Sequence, residues 1–188
     1  MQETAMCWGF DCGAGWYQIL YTLCGNIQNH VTWARRSRAD TILFNRAMGR
    51  AIRGDIKGLI WYHSRRNPDG PTDYTYQCVE RDLKETKEAR DPLPKVEKVV
   101  AVQVKEKFGT LRFYYNGGDE YVSGLVSMAE SMSAHTCEVC ANPAKTRGRG
   151  WIVTQCDPCY NTREERRAKE LAEYNASMEE TYRNIDGC

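Results

Sequence analysis

The chain has 188 residues, of which 41% are hydrophobic and 27% are charged, and its formal net charge at pH 7 is +1. This composition excludes a disordered protein, and the length allows one domain or one domain with a small appended module. The first ten residues lack a basic region followed by an apolar run, and no stretch approaches the roughly 20 apolar residues of a membrane span. We therefore expect a soluble cytoplasmic protein, with no signal peptide and no membrane as a partner.

Apolar residues at helical spacing predict a first helix from residue 16 to about residue 36. Gly13 and Gly15 interrupt the chain just before it. The stripe indicates a core-facing side rather than a ligand site, and its members are Trp16, Ile19, Leu20, Leu23, Cys24, Ile27 and Val31. No clear fourth ligand accompanies the cysteines of this region, so single thiols are favoured there over a second metal site; these cysteines are Cys7, Cys12 and Cys24.

A basic segment follows over residues 31–66, where nine Lys or Arg residues stand against only Asp40 and Asp55, a net charge of +7. Apolar residues interleave with these charges, which is compatible with a second amphipathic helix. Residues 67–95 hold four of the six prolines. They predict an irregular excursion with one short helix near 79–89.

Alternating apolar residues predict a β-hairpin at 99–115, with Phe108 and Gly109 in its turn. Two strands alone are marginally stable, so helices must cover their apolar face. Asp119 is placed to cap a helix over 119–134. Together these elements predict an α+β fold, in which helices pack on a small antiparallel hairpin.

Two Cys-x-x-Cys pairs, separated by fifteen residues, dominate the C-terminal part: Cys137 with Cys140, and Cys156 with Cys159. The lack of an export signal argues against a disulfide scaffold. Four thiolates at this spacing are typical of tetrahedral zinc. Because they fill the coordination sphere, we predict one structural Zn²⁺ rather than a catalytic ion with an open position. Free or redox-active thiols are the alternative, and His135 is interpreted as a surface residue.

The segment between the two pairs predicts a small hairpin, since glycines at 148 and 150 favour turning and residues 151–153 favour a strand. A densely charged helix is predicted after it, from about 158 to 184, with few apolar residues. Each Cys-x-x-Cys turn is called a knuckle. The chain has a first knuckle, then a hairpin, then a second knuckle that begins a helix, and this order resembles the treble-clef group of zinc modules. The histidine-rich motif that some nucleases carry on this scaffold is absent from the sequence. We predict domains at 1–134, with a basic, Pro-rich insertion at about 35–95, and at 135–188.

Four motifs in order resemble a group of proteins from bacteriophages and their bacterial hosts. They are GWYQILYTLC, VKEKFGTLRFYYNGGDE, SMAESMSAHTCEVC and GWIVTQCDPC. The likeness covers the first helix and residues 97–160. It implies a phage or prophage origin and supports the zinc site, but it implies no activity.

The first functional hypothesis is a non-catalytic zinc protein that binds a host protein or complex, to redirect host machinery or to inhibit a defence system. The sequence contains no phosphate-binding Gly-rich loop, no His-Glu-x-x-His motif and no recognisable nucleophile with a paired base. Arginine and aromatic residues dominate interface energies. The predicted partner-binding residues are Arg35, Arg36, Arg46, Arg50, Arg53, Trp61, Tyr62, Arg65, Arg147 and Arg149.

Two alternatives remain open at this point. The basic segment 35–66 and the zinc hairpin offer cationic and stacking groups for DNA or RNA, although the whole chain is nearly neutral. An enzyme is the less favoured alternative, because the charged and tyrosine residues near the β-hairpin are better explained by helix capping and ion pairs. These residues are Lys105, Glu106, Lys107, Tyr114, Tyr115, Asp119 and Glu120.

Overall fold

The computed structural model describes residues 4–86, 88–148 and 150–186. Within them, five α-helices accompany two antiparallel pairs of strands, which confirms the predicted α+β class. The helices are α1 (Tyr17–Ala51), α2 (Lys57–Ser64), α3 (Asp73–Glu85), α4 (Glu120–Ser133) and α5 (Asp157–Asp186). The strands are β1 (Val100–Lys107), β2 (Thr110–Asn116), β3 (Lys145–Arg147) and β4 (Val153–Gln155). None of the helices in the part of the chain that the structure describes combines the length and apolar character that a membrane span requires.

Contacts between residues divide the chain into two compact units. The first comprises Met1–Ile27 and Val99–Cys188, and the second comprises Gln28–Lys98. The predicted insertion at about 35–95 lies within the second unit. The predicted domain limits at 134 and 135 stay a prediction.

The hairpin of the first unit forms as the sequence predicts. Phe108 and Gly109 have φ angles of 54° and 77°. This left-handed pair is the geometry that a two-residue turn needs to match the twist of its strands. The register places Val104 opposite Phe113, and it shifts between Ala101 and Gln103.

Helix α4 covers the outer edge of β2. The backbone N–H groups of Leu111 and Phe113 donate to Ser133 Oγ at 2.8 Å and to Glu130 Oε1 at 3.0 Å. Two donors that an edge strand would otherwise expose are thereby satisfied. Asp119 caps α4, as predicted, by accepting from the backbone N–H of Val122 at 3.1 Å. Most buried residues of this unit come from α1 and the turn before it, from the β1–β2 hairpin and from α4, and they include Trp16, Leu20, Leu23, Val104, Leu111, Phe113, Val122, Val126 and Ala129.

The first helix is longer than predicted. We expected it to end near residue 36 and a separate helix to follow in the basic segment, but α1 continues without interruption to Ala51. No proline occurs over this range, so no residue in it removes a helical hydrogen bond. The chain leaves the helix only where Gly54 adopts a φ of 97°.

The second unit has its own small core. Side chains from the C-terminal half of α1 pack with α2 and α3, and the cluster comprises Phe44, Ala47, Met48, Ala51, Leu59 and Val79. Helix α3 begins six residues before the predicted start at 79. Its beginning is fixed by Thr75, whose hydroxyl accepts from the backbone N–H of Thr72 at 3.1 Å.

Candidate metal centre

The first Cys-x-x-Cys pair lies in a closed turn that follows α4. The backbone N–H of Cys137 donates to Asn142 O at 2.7 Å, and that of Ala141 donates to Cys137 O at 2.9 Å. Ala141 adopts a left-handed φ of 64°. These bonds bend the chain so that Cys137 and Cys140 are presented on the same side.

The second pair is brought to the first by the small hairpin of β3 and β4. Its turn needs glycine at 148, where φ is 101° and a Cβ atom would lie 2.3 Å from the Trp151 carbonyl oxygen. Cys156 follows β4 directly, and Cys159 lies in the first turn of α5. The predicted hairpin therefore forms, with its second strand at Val153–Gln155 rather than at 151–153.

The four thiols converge. The Sγ atoms of Cys137, Cys140, Cys156 and Cys159 all lie within 4.8 Å of one another, and those of Cys140 and Cys156 are 3.5 Å apart. A tetrahedral ion with metal–sulfur bonds of about 2.3 Å requires sulfur–sulfur distances of about 3.8 Å. The cysteines predicted as ligands thus lie together at a spacing that can hold one metal ion. Cys137 and Cys156 are buried, whereas Cys140 is exposed.

Local hydrogen bonds polarise this cluster. Burial has the largest single influence on the pKa of Cys137 and raises it. Hydrogen bonds from the backbone N–H groups of Cys156, Cys140 and Val139 together outweigh burial and lower this pKa to about 6. The pKa of Cys159 rises to about 12, chiefly through hydrogen bonding with Cys156 and Cys140. A thiolate at Cys137 is therefore favoured near neutral pH, whereas a cation must displace the proton of Cys159.

The knuckle of residues 137–140 is fastened to the rest of its unit. Trp16 Nε1 donates to Thr136 O at 2.8 Å, and the backbone N–H of Gly15 donates to Glu138 O at 2.8 Å. On the other side, the N–H of Glu138 donates to Thr154 O at 3.0 Å. The Thr154 hydroxyl donates to the carbonyl of Gly109 in the turn of the β1–β2 hairpin at 2.5 Å. The cysteine cluster is thus built into the first unit.

Two glycines make this attachment possible, and their role was not predicted from the sequence. Gly13 and Gly15 were expected only to interrupt the chain before α1. A Cβ atom at Gly13 would lie 2.2 Å from Glu138 O, and one at Gly15 would lie 2.2 Å from Cys137 O. A Gly-x-Gly pair before a helix is a sequence pattern that indicates close approach of another backbone segment.

We expect Gly15→Ala to destabilise the first unit and to weaken metal retention. The added Cβ meets a backbone oxygen of the knuckle, which cannot yield as a side chain would, and such overpacking costs about 1–3 kcal/mol. Thermal unfolding and the metal content after dialysis against a weak chelator measure both effects. The matched control is Gly25→Ala on α1, where nothing lies within 4 Å. That change should instead stabilise the helix by about 1 kcal/mol, and equal effects at the two positions would contradict the packing described here.

The described residues contain no second group of at least three potential metal ligands. The one group of at least three potential ligands that they contain is the four-cysteine cluster, and His135 does not belong to it. Cys7, Cys12 and Cys24 do not belong to it either, and their interpretation as single thiols stays a prediction. Cys188 lies outside the described residues.

Several residues predicted to bind a partner are engaged internally. Tyr62 donates to Asp40 at 2.8 Å, and Arg65 pairs with the same carboxylate while its guanidinium lies 3.9 Å from the Tyr62 ring centroid. Burial raises the pKa of Asp40, but the hydrogen bond from Tyr62 and the charge of Arg65 keep this pKa below its usual value. Arg147 is similarly paired with Asp157 and donates to Gln155 O at 3.0 Å. A structural role accounts for Tyr62, Arg65 and Arg147, and their role toward a partner stays a prediction.

The remaining predicted residues are exposed, apart from Arg149, which lies outside the described residues. Arg53 and Trp61 are exposed around α2. Four exposed arginines of α1 fall within a sector of about 100° around the helix axis and extend over about 22 Å; they are Arg35, Arg36, Arg46 and Arg50. We call these four residues the arginine stripe. The single acidic residue of α1, Asp40, is directed to Tyr62 and Arg65 and leaves the charge of the stripe uncompensated within the helix.

The residues considered for catalysis have structural contacts. Asp119 caps α4, and Lys105 Nζ lies 5.4 Å from the centroid of the Tyr114 ring. Glu106 Oε1 accepts from the backbone N–H of Gly109 at 2.5 Å within the hairpin turn. Asp119 therefore has the capping role that the sequence favours, whereas the expected ion pairs and the absence of catalysis stay predictions.

No protein-family model matches the chain, and neither curated proteins nor solved structures give a significant match.

Proposed function

We propose that the metal is zinc, and that it is structural. Four cysteine thiols supply a complete tetrahedral set, which is the ligand set that zinc prefers and which leaves no position for a water nucleophile. The first pair lies in a turn, the second follows a short hairpin, and α5 begins between Cys156 and Cys159. This arrangement supports a treble-clef module as the type of zinc site.

We further propose that the chain is a phage-encoded binding protein that acts without catalysis on a host protein or complex. The observation that carries this proposal is the arginine stripe of α1, four exposed arginines whose charge the helix's single acidic residue does not offset. Arg35 also donates from Nε to the carbonyl of Val96 at 3.4 Å, which leaves its charge uncompensated. An acidic protein surface is its natural complement, since charged patches steer association and set specificity. The resemblance of four sequence motifs to phage and prophage proteins supports the origin. Takeover of host machinery and inhibition of a defence system are the roles that fit a protein of this kind.

Nucleic acid is the second candidate partner. Arginine contacts to phosphates supply most non-specific affinity for DNA or RNA. The exposed Trp33 and Trp61, both in the second unit, offer stacking surfaces of the kind that bind unpaired bases. The same stripe thus favours this alternative, and the two candidates are separated by experiment.

Charge reversal of the stripe tests the proposal. We expect Arg46→Glu with Arg50→Glu to leave folding and zinc content unchanged, because both side chains are exposed, and to weaken partner capture at least about tenfold. Capture from host lysate, with and without nuclease treatment, is the measurement. The matched control is Lys84→Glu with Lys98→Glu, an equal change of charge at exposed positions of the same unit outside α1.

The result decides between the candidates. Capture that survives nuclease treatment and fails in the stripe variant supports a protein partner. Retention of nucleic acid that falls steeply with salt, by roughly one log–log unit for each phosphate contact, supports the alternative. If the stripe variant captures its partner as the unmodified chain does, the stripe is a solvated face. The candidate surface then becomes α5, whose side chains are all exposed from Glu165 to Ser177.

A further inference from the structure

Helix α5 is 30 residues long, and its middle part has no packing surface within its own unit. Every residue from Glu165 to Ser177 is exposed, and the large side chains of Leu171 and Tyr174 are each 60% exposed. Three ion pairs within the helix, with N–O distances of 3.3 to 3.9 Å, join exposed side chains and are therefore weak. Most helices in proteins owe their stability to the packing of an apolar face. Over these residues, α5 needs a partner from outside its unit.

The apolar residues of α5 follow a heptad spacing. Six positions from 168 to 185 are separated by alternating steps of three and four residues, as are the a and d positions of a coiled coil. Five of the six are apolar, and together they are Ala168, Leu171, Asn175, Met178, Tyr182 and Ile185. We call these six positions the seam; it extends over about 26 Å of helix. The charged residues of the same range all occupy other heptad positions, and they are Lys169, Glu170, Glu173, Glu179, Glu180 and Arg183. A seam of this kind packs against another helix.

Asn175, the one polar residue of the seam, indicates which helix. A single asparagine at an a position fixes the register and the number of strands of a coiled coil at a cost in stability. In a parallel pair of identical helices, equivalent a positions face each other, so the two Asn175 amides can each donate to and accept from the other. Opposite an apolar residue, the same amide would be buried without a partner, which reduces stability. A second copy of this chain therefore satisfies the seam.

The charges beside the seam are compatible with pairing of identical helices. In a parallel coiled coil, each g position lies beside the e position five residues further along the other helix. This spacing places Arg167 beside Ala172 and Tyr174 beside Glu179. Neither pair brings like charges together. The seam also begins about 16 Å from the first residue of α5, so pairing uses the part of the helix that lies away from the cysteine cluster.

We propose that the chain forms a homodimer through a parallel, two-stranded coiled coil of α5, with Asn175 of one copy paired with Asn175 of the other. This inference does not depend on the arginine stripe. It adds a consequence for the proposed function, because a dimer carries two stripes. A partner with repeated acidic sites would then be bound more tightly by the dimer than by one chain.

The experiment is sedimentation analysis of the full-length, zinc-loaded protein under reducing conditions, over a series of protein concentrations. We expect a mass that rises with concentration from that of one chain to that of two chains and no further. Reducing conditions exclude a dimer that is held by a disulfide.

Leu171→Lys tests the seam, since it places a positive charge at the same d position of both copies. It should weaken dimerisation at least about a hundredfold, the effect of losing a central interface residue. The matched control is Ala176→Lys, which adds the same charge at a b position on the outer side and should leave dimerisation unchanged. Both residues are exposed in the single chain, and zinc content measured in parallel should equal that of the unmodified protein.

Asn175→Ile tests the pairing of the two asparagines. A β-branched residue at an a position, with leucine at d, favours two-stranded coiled coils. This variant should therefore dimerise at least about tenfold more tightly. In a chain that does not use this seam, the same substitution would leave the mass unchanged at every concentration.

Other outcomes overturn the proposal. A protein that stays monomeric at the highest concentration leaves the seam to a helix of another protein. A dimer that Leu171→Lys does not weaken uses a different surface, and assemblies larger than two chains remove the two-stranded assignment. These failures are distinct from a failure of the proposed function, because capture through the arginine stripe can be measured with the Leu171→Lys variant as well as with the unmodified chain.

Discussion

Cys156→Ser is expected to release the metal and to unfold the first unit. Structural zinc sites of this kind contribute on the order of 10 kcal/mol, which is comparable with the whole stability of a typical domain, about 5–15 kcal/mol. The knuckle also anchors the segment before α1 and the turn of the β1–β2 hairpin through backbone hydrogen bonds. Loss of the metal should therefore propagate into the core of the unit.

Elemental analysis and thermal unfolding, with and without a chelator, measure this prediction. The unmodified protein should contain one zinc per chain, lose it to the chelator and melt at a lower temperature afterwards. Amide hydrogen exchange at Gly15 and Glu138, whose N–H groups are bonded across the knuckle, should become fast. Cys24→Ser is the matched control, since Cys24 is an exposed thiol of α1 outside the cluster, and it should leave zinc content and stability unchanged. Absence of stoichiometric zinc from natively purified, reduced protein would end the proposal.

Local patterns explain why the hairpin and the thiol cluster could be predicted from sequence. Alternation on both strands, with Phe108-Gly109 between them, leaves one register that buries Val104, Leu111 and Phe113 together. Each Cys-x-x-Cys turn places its own two sulfur atoms close together, and the spacing between the two turns is typical of a metal site. In both cases the relevant residues are near neighbours in the chain, so the tertiary structure adds little to what they require.

The missed features depend on distant contacts. Gly15 and Glu138 are far apart in sequence, and the need for glycine at position 15 follows only from the approach of the Cys137 carbonyl. The length of α1 was underestimated for a similar reason. Its buried face in the second unit comprises Phe44, Ala47 and Met48, which pack with α2 and α3, and composition does not reveal those partners in advance.

The predicted partner-binding residues stay a prediction, because no partner is present to test them. Tyr62 and Arg65 are residue types that dominate binding surfaces, yet both satisfy Asp40 within their own unit. An arginine and an aromatic residue look the same in the sequence whether their contact stabilises the fold or binds a partner. The positions of the acidic groups help to separate the two cases: Arg65 pairs with Asp40 and has a structural role, while its role toward a partner stays a prediction. The exposed arginines of α1 are therefore the first candidate surface.

Phe113→Ala is expected to cost about 3–5 kcal/mol of unfolding free energy, the usual range for truncating a buried phenylalanine. Phe113 is 6% exposed, faces Val104 across the hairpin, and its backbone N–H is bonded to Glu130 of α4. Removal of the ring leaves a cavity at the point where the helix meets the sheet, and neither element can close over it without losing that bond. For a chain of this size, each kcal/mol lowers the melting temperature by about 2–4 °C, so a fall on the order of 10 °C should be seen.

Tyr114→Ala on the same strand is the matched control for this prediction. Tyr114 is 42% exposed and lies on the opposite face of β2, so its truncation creates no enclosed cavity and should cost less than about 1 kcal/mol. Denaturant unfolding of the two zinc-loaded variants, with zinc content measured in parallel, separates a packing loss from a metal loss. If the two substitutions destabilise the protein equally, Phe113 does not occupy the core position that the hairpin register gives it. If Phe113→Ala instead loses zinc before it unfolds, the hairpin and the metal centre are coupled through the Gly109–Thr154 contact more strongly than one hydrogen bond implies.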